Sequence, residues 1–446
     1  MIRPTDILHD IRSLPPIQCG SEAKEHFSFS GGYINLNHGS FGTYPKCIKP
    51  VLRHYQDLAE GKPDKFIRYE YPALLDQSRA AVAKILNAPV EACTFLSNAT
   101  TGINTVLRAL EYEKDDVIIT FTAIYGACEH TVTFITETTP AESQKVVFTY
   151  PIASSDICDK FESLIKEIKS SGKKPKLAIF DTIVSLPGVR MPFERLTELC
   201  RKHGVLSCID GAHSIGQIDI DLTKLDPDFY VSNCHKWLYV PRGCAVFYVP
   251  VRNQHLIRST IPTSHGYIAR PSLDGTVVPN PLPPSKKSPY ITNFEFVGTL
   301  DNSPYLCVPA AIEWRKKLVW KDKQGEQAIK AYIQWIALAA AELMARKLDT
   351  EVMDNEEKSL TKCGLTNVRL PVSIDHVEFT TAVKIAQWMA KTIVEEYNTF
   401  LAIVIHDNAL WVRLSGQIYL TLDDFEHGAQ TLLAVCQRAK KGEWES

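Results

Sequence analysis

From about Pro50 to Tyr248 the chain alternates helix-like amphipathic stretches with short, nearly continuous apolar runs bounded by turn residues. The runs are VIITF at 117–121, KLAIF at 176–180, VLSCID at 205–210, DFYVSN at 228–233 and CAVFYV at 244–249. Between them apolar residues recur at helical spacing, as in ALLDQSRAAVAKIL at 73–86 and FERLTELCRKHG at 193–204, the second closing on Gly204 as a helix C-cap would. A strand that is apolar along its whole length needs cover on both faces, and parallel neighbours joined through helices provide it. The pattern predicts an α/β fold with a large, mostly parallel sheet.

Residues 271–289 then hold six prolines, which predicts a loop or extended connector. Beyond it the pattern predicts a long helical region from about Tyr305 to Ala345, a strand at NVRLPV (367–372), a helix around 380–397, a strand at LWVRLS (410–415) and a closing helix at 424–439. That order suggests a smaller α+β domain at the C-terminus. We divide the chain into a large domain, 32–298, and a small domain of 299–446 with the N-terminal segment 1–31.

With 446 residues, 45% hydrophobic and 22% charged, the chain has ordinary globular composition. Forty-nine basic residues nearly balance 51 acidic ones, so no global field favours nucleic acid or an anionic membrane, and neither is expected as a partner. The opening MIRPTDILHDIRSL lacks the unbroken apolar core of a secretory signal, and no stretch reads as approaching the ~18 apolar residues of a membrane span, so a cytoplasmic protein is expected. The twelve cysteines are scattered without a C-x-x-C pair, which predicts reduced thiols and no metal site.

The chemistry concentrates in IDGAHSIG (209–216) and SNCHKWLYVPRG (232–243). Asp210 closes an apolar run, at the C-terminal edge of a parallel strand, where open α/β sheets place their ligands. Lys236 follows the next run and should reach the same edge. Taken singly, Asp210 reads more readily as a turn cap and Lys236 as a solvated loop residue. Together they are what pyridoxal 5'-phosphate needs: a lysine to bond its aldehyde and a buried carboxylate to keep its ring nitrogen protonated. Upstream, SNATTGIN (97–104) joins a short strand, TFL (94–96), to a helix pattern. It reads either as a phosphate cradle at a helix N-terminus or as a simple Ser/Thr N-cap. Tyr125, just past VIITF, is placed above the same crevice, as a ring-stacking group or a core residue.

The succession SNATTGIN, YGA, DGAH and SNCHKW resembles the class V aminotransferase family, pyridoxal phosphate enzymes of fold type I. NLNHGSFGTYP (35–45), CHKWLYVPRG (234–243), FEFVGTLDNSP (294–304) and WVRLSGQIYL (411–420) resemble its isopenicillin N epimerase-like branch. The resemblance implies that Lys236 bonds the cofactor, Asp210 pairs with the ring nitrogen and His213 lies near the phenolic oxygen. It implies that Thr100, Thr101 and the backbone of Ala99 hold the phosphate, with His235 helping. Thr299 matches a position that reaches the phosphate from the other subunit, which implies a homodimer with shared sites. Arg413 matches the arginine that grips the substrate α-carboxylate, and Asn37 and His38 match the loop lining the substrate end. Tyr125 stands where desulfurases of the class carry a histidine over the ring, and Ser185 where they often carry an asparagine. Cys128, three residues after Tyr125, is read either as a structural thiol or as one touching a sulfur leaving group.

What the resemblance implies for activity is a lyase acting on a small amino-acid-derived substrate: β-elimination from a cysteine S-conjugate, breaking a C–S bond, with Lys236 as base and Tyr125 orienting the ring. Cyclisation or epimerisation in the same family is the alternative. Both Lys236 and Asp210 are present, which argues against a non-catalytic scaffold that merely kept the fold.

Overall fold

The structure, a computed structural model, describes residues 4–267, 269, 282–375 and 377–445. Seven strands form the main sheet: β1 (Cys93–Leu96), β2 (Asp116–Phe121), β3 (Glu142–Val146), β4 (Lys174–Asp181), β5 (Leu206–Asp210), β6 (Phe229–Asn233) and β7 (Ala245–Tyr248), in the spatial order β1-β7-β6-β5-β4-β2-β3. β3, β2, β4, β5 and β6 run parallel, and β7 is antiparallel to both β6 and β1. Because β7 is the single reversal between β1 and β6, β1 points the same way as the central strands. Leu96, Phe121, Asp181, Asp210 and Asn233 therefore all end at one edge.

Each apolar run read from the sequence falls on one of these strands, buried throughout in β2, β6 and β7 and nearly so in β5. The helix Phe193–His203 ends on Gly204 at φ 69°, the left-handed conformation its sequence announced. β3 has no apolar run to betray it. Its sequence ESQKV is mostly exposed, as suits an edge strand paired on one side.

The predicted helical region from Tyr305 to Ala345 is a correction. Helix Val308–Arg315 stops, Leu318–Trp320 and Lys323–Gln324 form a small hairpin, and the helix Glu326–Leu348 begins afresh. The break follows from Lys321 at φ 54° and Gly325 at φ 60°, backbone no helix can contain. Ile17–Gln18 pairs in parallel with Leu318–Val319, so the N-terminal segment packs onto this C-terminal hairpin.

The helix Glu326–Leu348 also corrects the reading that no stretch approaches membrane-span character, since by length and composition it does. It is a core helix, with Ile329, Ile333, Ala340 and Met344 buried and its packing made against β8 (Leu365–Ser373) and the closing helix Leu422–Lys440. β8 belongs to a second, antiparallel sheet with β9 (Ala402–His406) and β10 (Ala409–Ser415), in the order β8-β10-β9.

Of the proline-rich connector, 271–281 lies outside the described residues. Pro289 opens the helix Pro289–Glu295, where a missing N–H costs nothing. All twelve cysteines are free thiols.

Candidate active site

Asp210 and Asp181 are register partners at the ends of β5 and β4, both buried. One Asp210 carboxylate oxygen accepts the Ala212 N–H at 2.9 Å, and the other lies 3.6 Å from the Cys128 thiol. Burial pushes the Asp210 carboxyl above its ordinary range, opposed by the Ala212 bond and by the charge of Lys236. Asp181 is pushed up further, by burial and by the charge of Asp210 beside it. Sequence reasoning passed over Asp181, yet the signal was available: it closes KLAIFD as Asp210 closes VLSCID.

Lys236 sits in the single helical turn Cys234–Trp237 that follows β6. Its Nζ lies 3.1 Å from Nε2 of His213, and Nδ1 of the same ring accepts the Trp237 indole N–H at 3.3 Å. Burial lowers the lysine to about 8; the carboxylates of Asp210 and Asp181 oppose that fall, and the charge of Arg413 adds to it. Burial, with Lys236 and Arg413 nearby, holds His213 well below its ordinary value, so its ring is neutral.

β1 leads into the helix Ala99–Ala109, capped by the Asn98 side chain, which accepts the Thr101 N–H at 2.8 Å. The Ala99 N–H donates to Asn233 Oδ1 at 2.8 Å, which ties this helix start to the strand end that precedes Lys236. Gly102 is required here: a Cβ would come within 2.7 Å of Val231 on β6. The Thr101 hydroxyl is engaged with Asn98 and Ser97. Thr100 keeps a backbone N–H and a hydroxyl that bond to none of the described residues. The two readings of SNATTGIN thus coexist in one turn, with Asn98 as the cap and Thr100 as the spare donor.

Arg413, on the central strand β10, is buried with all its bonded partners neutral. Nη2 donates to Asn37 Oδ1 at 2.5 Å and Ser40 Oγ at 2.7 Å, and Nη1 to the Ser185 carbonyl at 2.8 Å. Its Nε is buried without a partner, and burial lowers the guanidinium to about 10. No carboxylate compensates this charge among the described residues. The Ser185 loop is fixed to the second sheet by Asn367, which accepts from the Gly188 N–H and donates to its carbonyl.

The remaining candidates lie as follows. Tyr125 is 46% exposed at the start of the helix Gly126–Thr138, one turn before Cys128. His235 donates from Nδ1 to the Cys244 carbonyl, and burial lowers it to about 4, so its free Nε2 must take a second proton before it can donate to a phosphate. Thr299 is exposed, and its neighbours Val297 and Leu300 line a small cavity shared with Ser97 and Thr101. His38 is buried, with both ring nitrogens engaged by Tyr419 and by the Lys236 carbonyl. Burial raises the Cys128 thiol far above its ordinary value, with Asp210 and Asp181 adding to the shift, which favours the structural reading of that residue.

The donors present fit pyridoxal 5'-phosphate. One strand edge brings together a buried carboxylate, an amine depressed toward neutrality and a helix N-terminus with spare donors.

The chain is 36% identical over 442 residues to the L-cysteine desulfhydrase-like protein lolT1 of Epichloe uncinata, covering 94% of this chain and 96% of that one. It is 31% identical over 424 residues to the hercynylcysteine sulfoxide lyase of Schizosaccharomyces pombe, covering 94% and 98%. Among solved structures it resembles the complex of the cystine C-S lyase C-DES with cysteine persulfide, with a TM-score of 0.67 and 18% identity over 90% of this chain and 97% of that one, a likeness of fold. The Aminotransferase class-V family model matches residues 66–369, and the chain belongs to that family of pyridoxal 5'-phosphate enzymes.

Proposed function

We propose that this enzyme is a carbon–sulfur lyase that cleaves a cysteine S-conjugate, a sulfoxide as in ergothioneine biosynthesis, by β-elimination. The observation that carries the reading is the pairing of Arg413, an uncompensated buried guanidinium, with Lys236, an amine depressed to about 8 in the same interior. Arg413 takes the substrate α-carboxylate in its planar fork. Lys236, once free, removes the α-proton. Pyridoxal phosphate supplies the electron sink that makes this proton acidic. The β-substituent leaves with the C–S electron pair and a proton, as a sulfenic acid when the substrate is a sulfoxide. Water converts the residual three-carbon fragment to pyruvate and ammonia. Tyr125, at the mouth of the edge, orients the ring. Two relatives whose names describe cysteine C–S chemistry support the reading.

A second reading keeps the same first step and closes a ring instead of expelling sulfur, as in the loline-type cyclase. Epimerisation is the remaining family outcome. We further propose a homodimer in which the exposed Thr299 completes the partner's phosphate site.

The test is a pyruvate assay with hercynylcysteine sulfoxide, cysteine and an S-alkyl cysteine. Pyruvate from the sulfoxide alone supports the lyase, sulfide with pyruvate from cysteine supports a desulfhydrase, and α-proton exchange without pyruvate sinks the elimination reading.

A further inference from the structure

The helical turn Cys234–Trp237 is too short to satisfy its own last carbonyls. Two side chains from distant parts of the chain do so instead. His38 Nε2 lies 2.5 Å from the Lys236 carbonyl, and Arg315 Nη1 lies 2.7 Å from the Trp237 carbonyl. Each contact is built rather than incidental. The Lys236 carbonyl can only accept, so the His38 proton sits on Nε2 and Nδ1 accepts from the Tyr419 hydroxyl at 2.9 Å, a hydroxyl that is itself held by Asn35 Nδ2 at 2.8 Å. Arg315 is 1% exposed and is held by Glu326, Nε to Oε1 at 2.5 Å and Nη2 to Oε2 at 2.7 Å. Its Nη2 also donates to the Gly216 carbonyl at 2.9 Å. One guanidinium thus bridges the turn bearing Lys236 and the DGAHSIG loop bearing Asp210 and His213.

The N-terminal contact is as tight as backbone permits. Gly42 stands at φ 64°, and a Cβ there would lie 1.7 Å from the His235 carbonyl oxygen. Arg242, just past the lysine turn, returns bonds to the carbonyls of Phe41 and Gly42. Asn37 and Ser40, flanking His38, hold Arg413. The segment 37–42 therefore touches both the lysine turn and the carboxylate-binding arginine.

We infer that His38 and Arg315 are positioning residues that clamp the lysine turn from two sides and fix the Lys236 amine in its orientation. The inference rests on Lys236 being the cofactor lysine, and not on which bond the enzyme breaks. A turn with unpaired terminal carbonyls lets its side chain wander, and small misplacement of a reacting group is costly.

The test compares holoenzymes of wild type, His38→Phe, His38→Gln, Arg315→Met and Arg315→Lys. Visible circular dichroism, normalised to cofactor absorbance, reports how rigidly the chromophore is held, and it needs no substrate. His38→Phe and Arg315→Met are expected to lose much of this signal, with kcat lower on the order of tenfold and KM little changed. Gln presents an amide N–H and a carbonyl in place of the two ring nitrogens and is expected to restore the signal. Arg315→Lys, one donor without the fork, is expected to fall between, and it serves if Arg315→Met does not fold. Dichroism and kcat equal to wild type in folded His38→Phe and Arg315→Lys, with only a lower melting temperature, would overturn the clamp. Absence of turnover on every sulfur substrate, with the dichroism changes as expected, would count against the lyase reading alone.

Discussion

The amine nitrogen of Lys236 lies 3.1 Å from Nε2 of His213, and the proton between them has a definite owner. The Trp237 indole can only donate, so His213 Nδ1 must accept and the neutral ring carries its proton on Nε2. That proton points at the lysine, an arrangement satisfied when the amine is neutral and offers a lone pair. Hydrogen bonding and burial therefore act in the same direction on Lys236.

A consequence is the pH dependence of cofactor capture. As pH rises through about 8 the Lys236 amine loses its proton and becomes a nucleophile, so the rate of covalent capture of added pyridoxal phosphate is expected to rise with that midpoint. Stopped-flow absorbance across neutral to alkaline pH checks it. A midpoint at the ordinary lysine value would contradict the burial argument, and Lys236→Ala should show no covalent adduct after reduction and mass analysis.

Arg413→Lys keeps a positive charge but loses the planar fork and the bonds to Asn37, Ser40 and Ser185 together. Charge-assisted bonds of this kind are worth ~1.5–3 kcal/mol, so KM for the amino-acid substrate should rise by roughly tenfold to a hundredfold with a smaller effect on kcat. Steady-state kinetics decide it. An unchanged KM would remove Arg413 from carboxylate binding.

Acid stability depends on histidines held neutral in the fold. Burial lowers His38 to about 3 and His235 to about 4, and His213 falls well below its usual range. An unfolded histidine takes its proton near pH 6.5, so between that pH and the folded values the unfolded state binds more protons. The histidine contribution to stability falls as pH falls through this window, by up to about 1.4 kcal/mol per pH unit for each histidine, while the raised carboxyls of Asp181 and Asp210 act in the opposite direction. Urea unfolding of the apoprotein from neutral pH to about pH 5, in wild type and in His38→Gln, isolates the His38 part, and the same pH slope in both would refute the assignment.

Cys128 is expected to be inert in the native protein. Its thiol is buried and faces Asp210 and Asp181, which disfavour the thiolate. Iodoacetamide should leave it unmodified until the chain is unfolded, as mass spectrometry of peptides will show. Cys128→Ala removes one weak donor from Asp210 and should lower kcat by less than about fivefold. A much larger loss would reopen its contact with a leaving group.

Local pattern was enough for the central strands, because an apolar run bounded by turn residues has few other places to lie than inside a covered sheet. It was enough for Asp210 and Lys236 as well, since both close or follow such runs and the sheet's parallel order brings strand ends to one edge. It failed at β3, whose residues are polar because an edge strand needs no second apolar face, and at residues 316–325, where left-handed Lys321 and Gly325 interrupt what reads as one helix.

What the sequence by itself determined is the fold class and the chemistry of one strand edge, both written in residues close together along the chain. The tertiary structure alone decided which distant groups meet there. Asn37 and Arg413 are 376 positions apart, His38 and Lys236 198, and Arg315 and Trp237 78. Periodicity and turn signals encode the conformation of neighbours along the chain. A hydrogen bond between remote segments exists only once packing of the second sheet and the N-terminal segment has excluded water and brought the two groups within reach of each other.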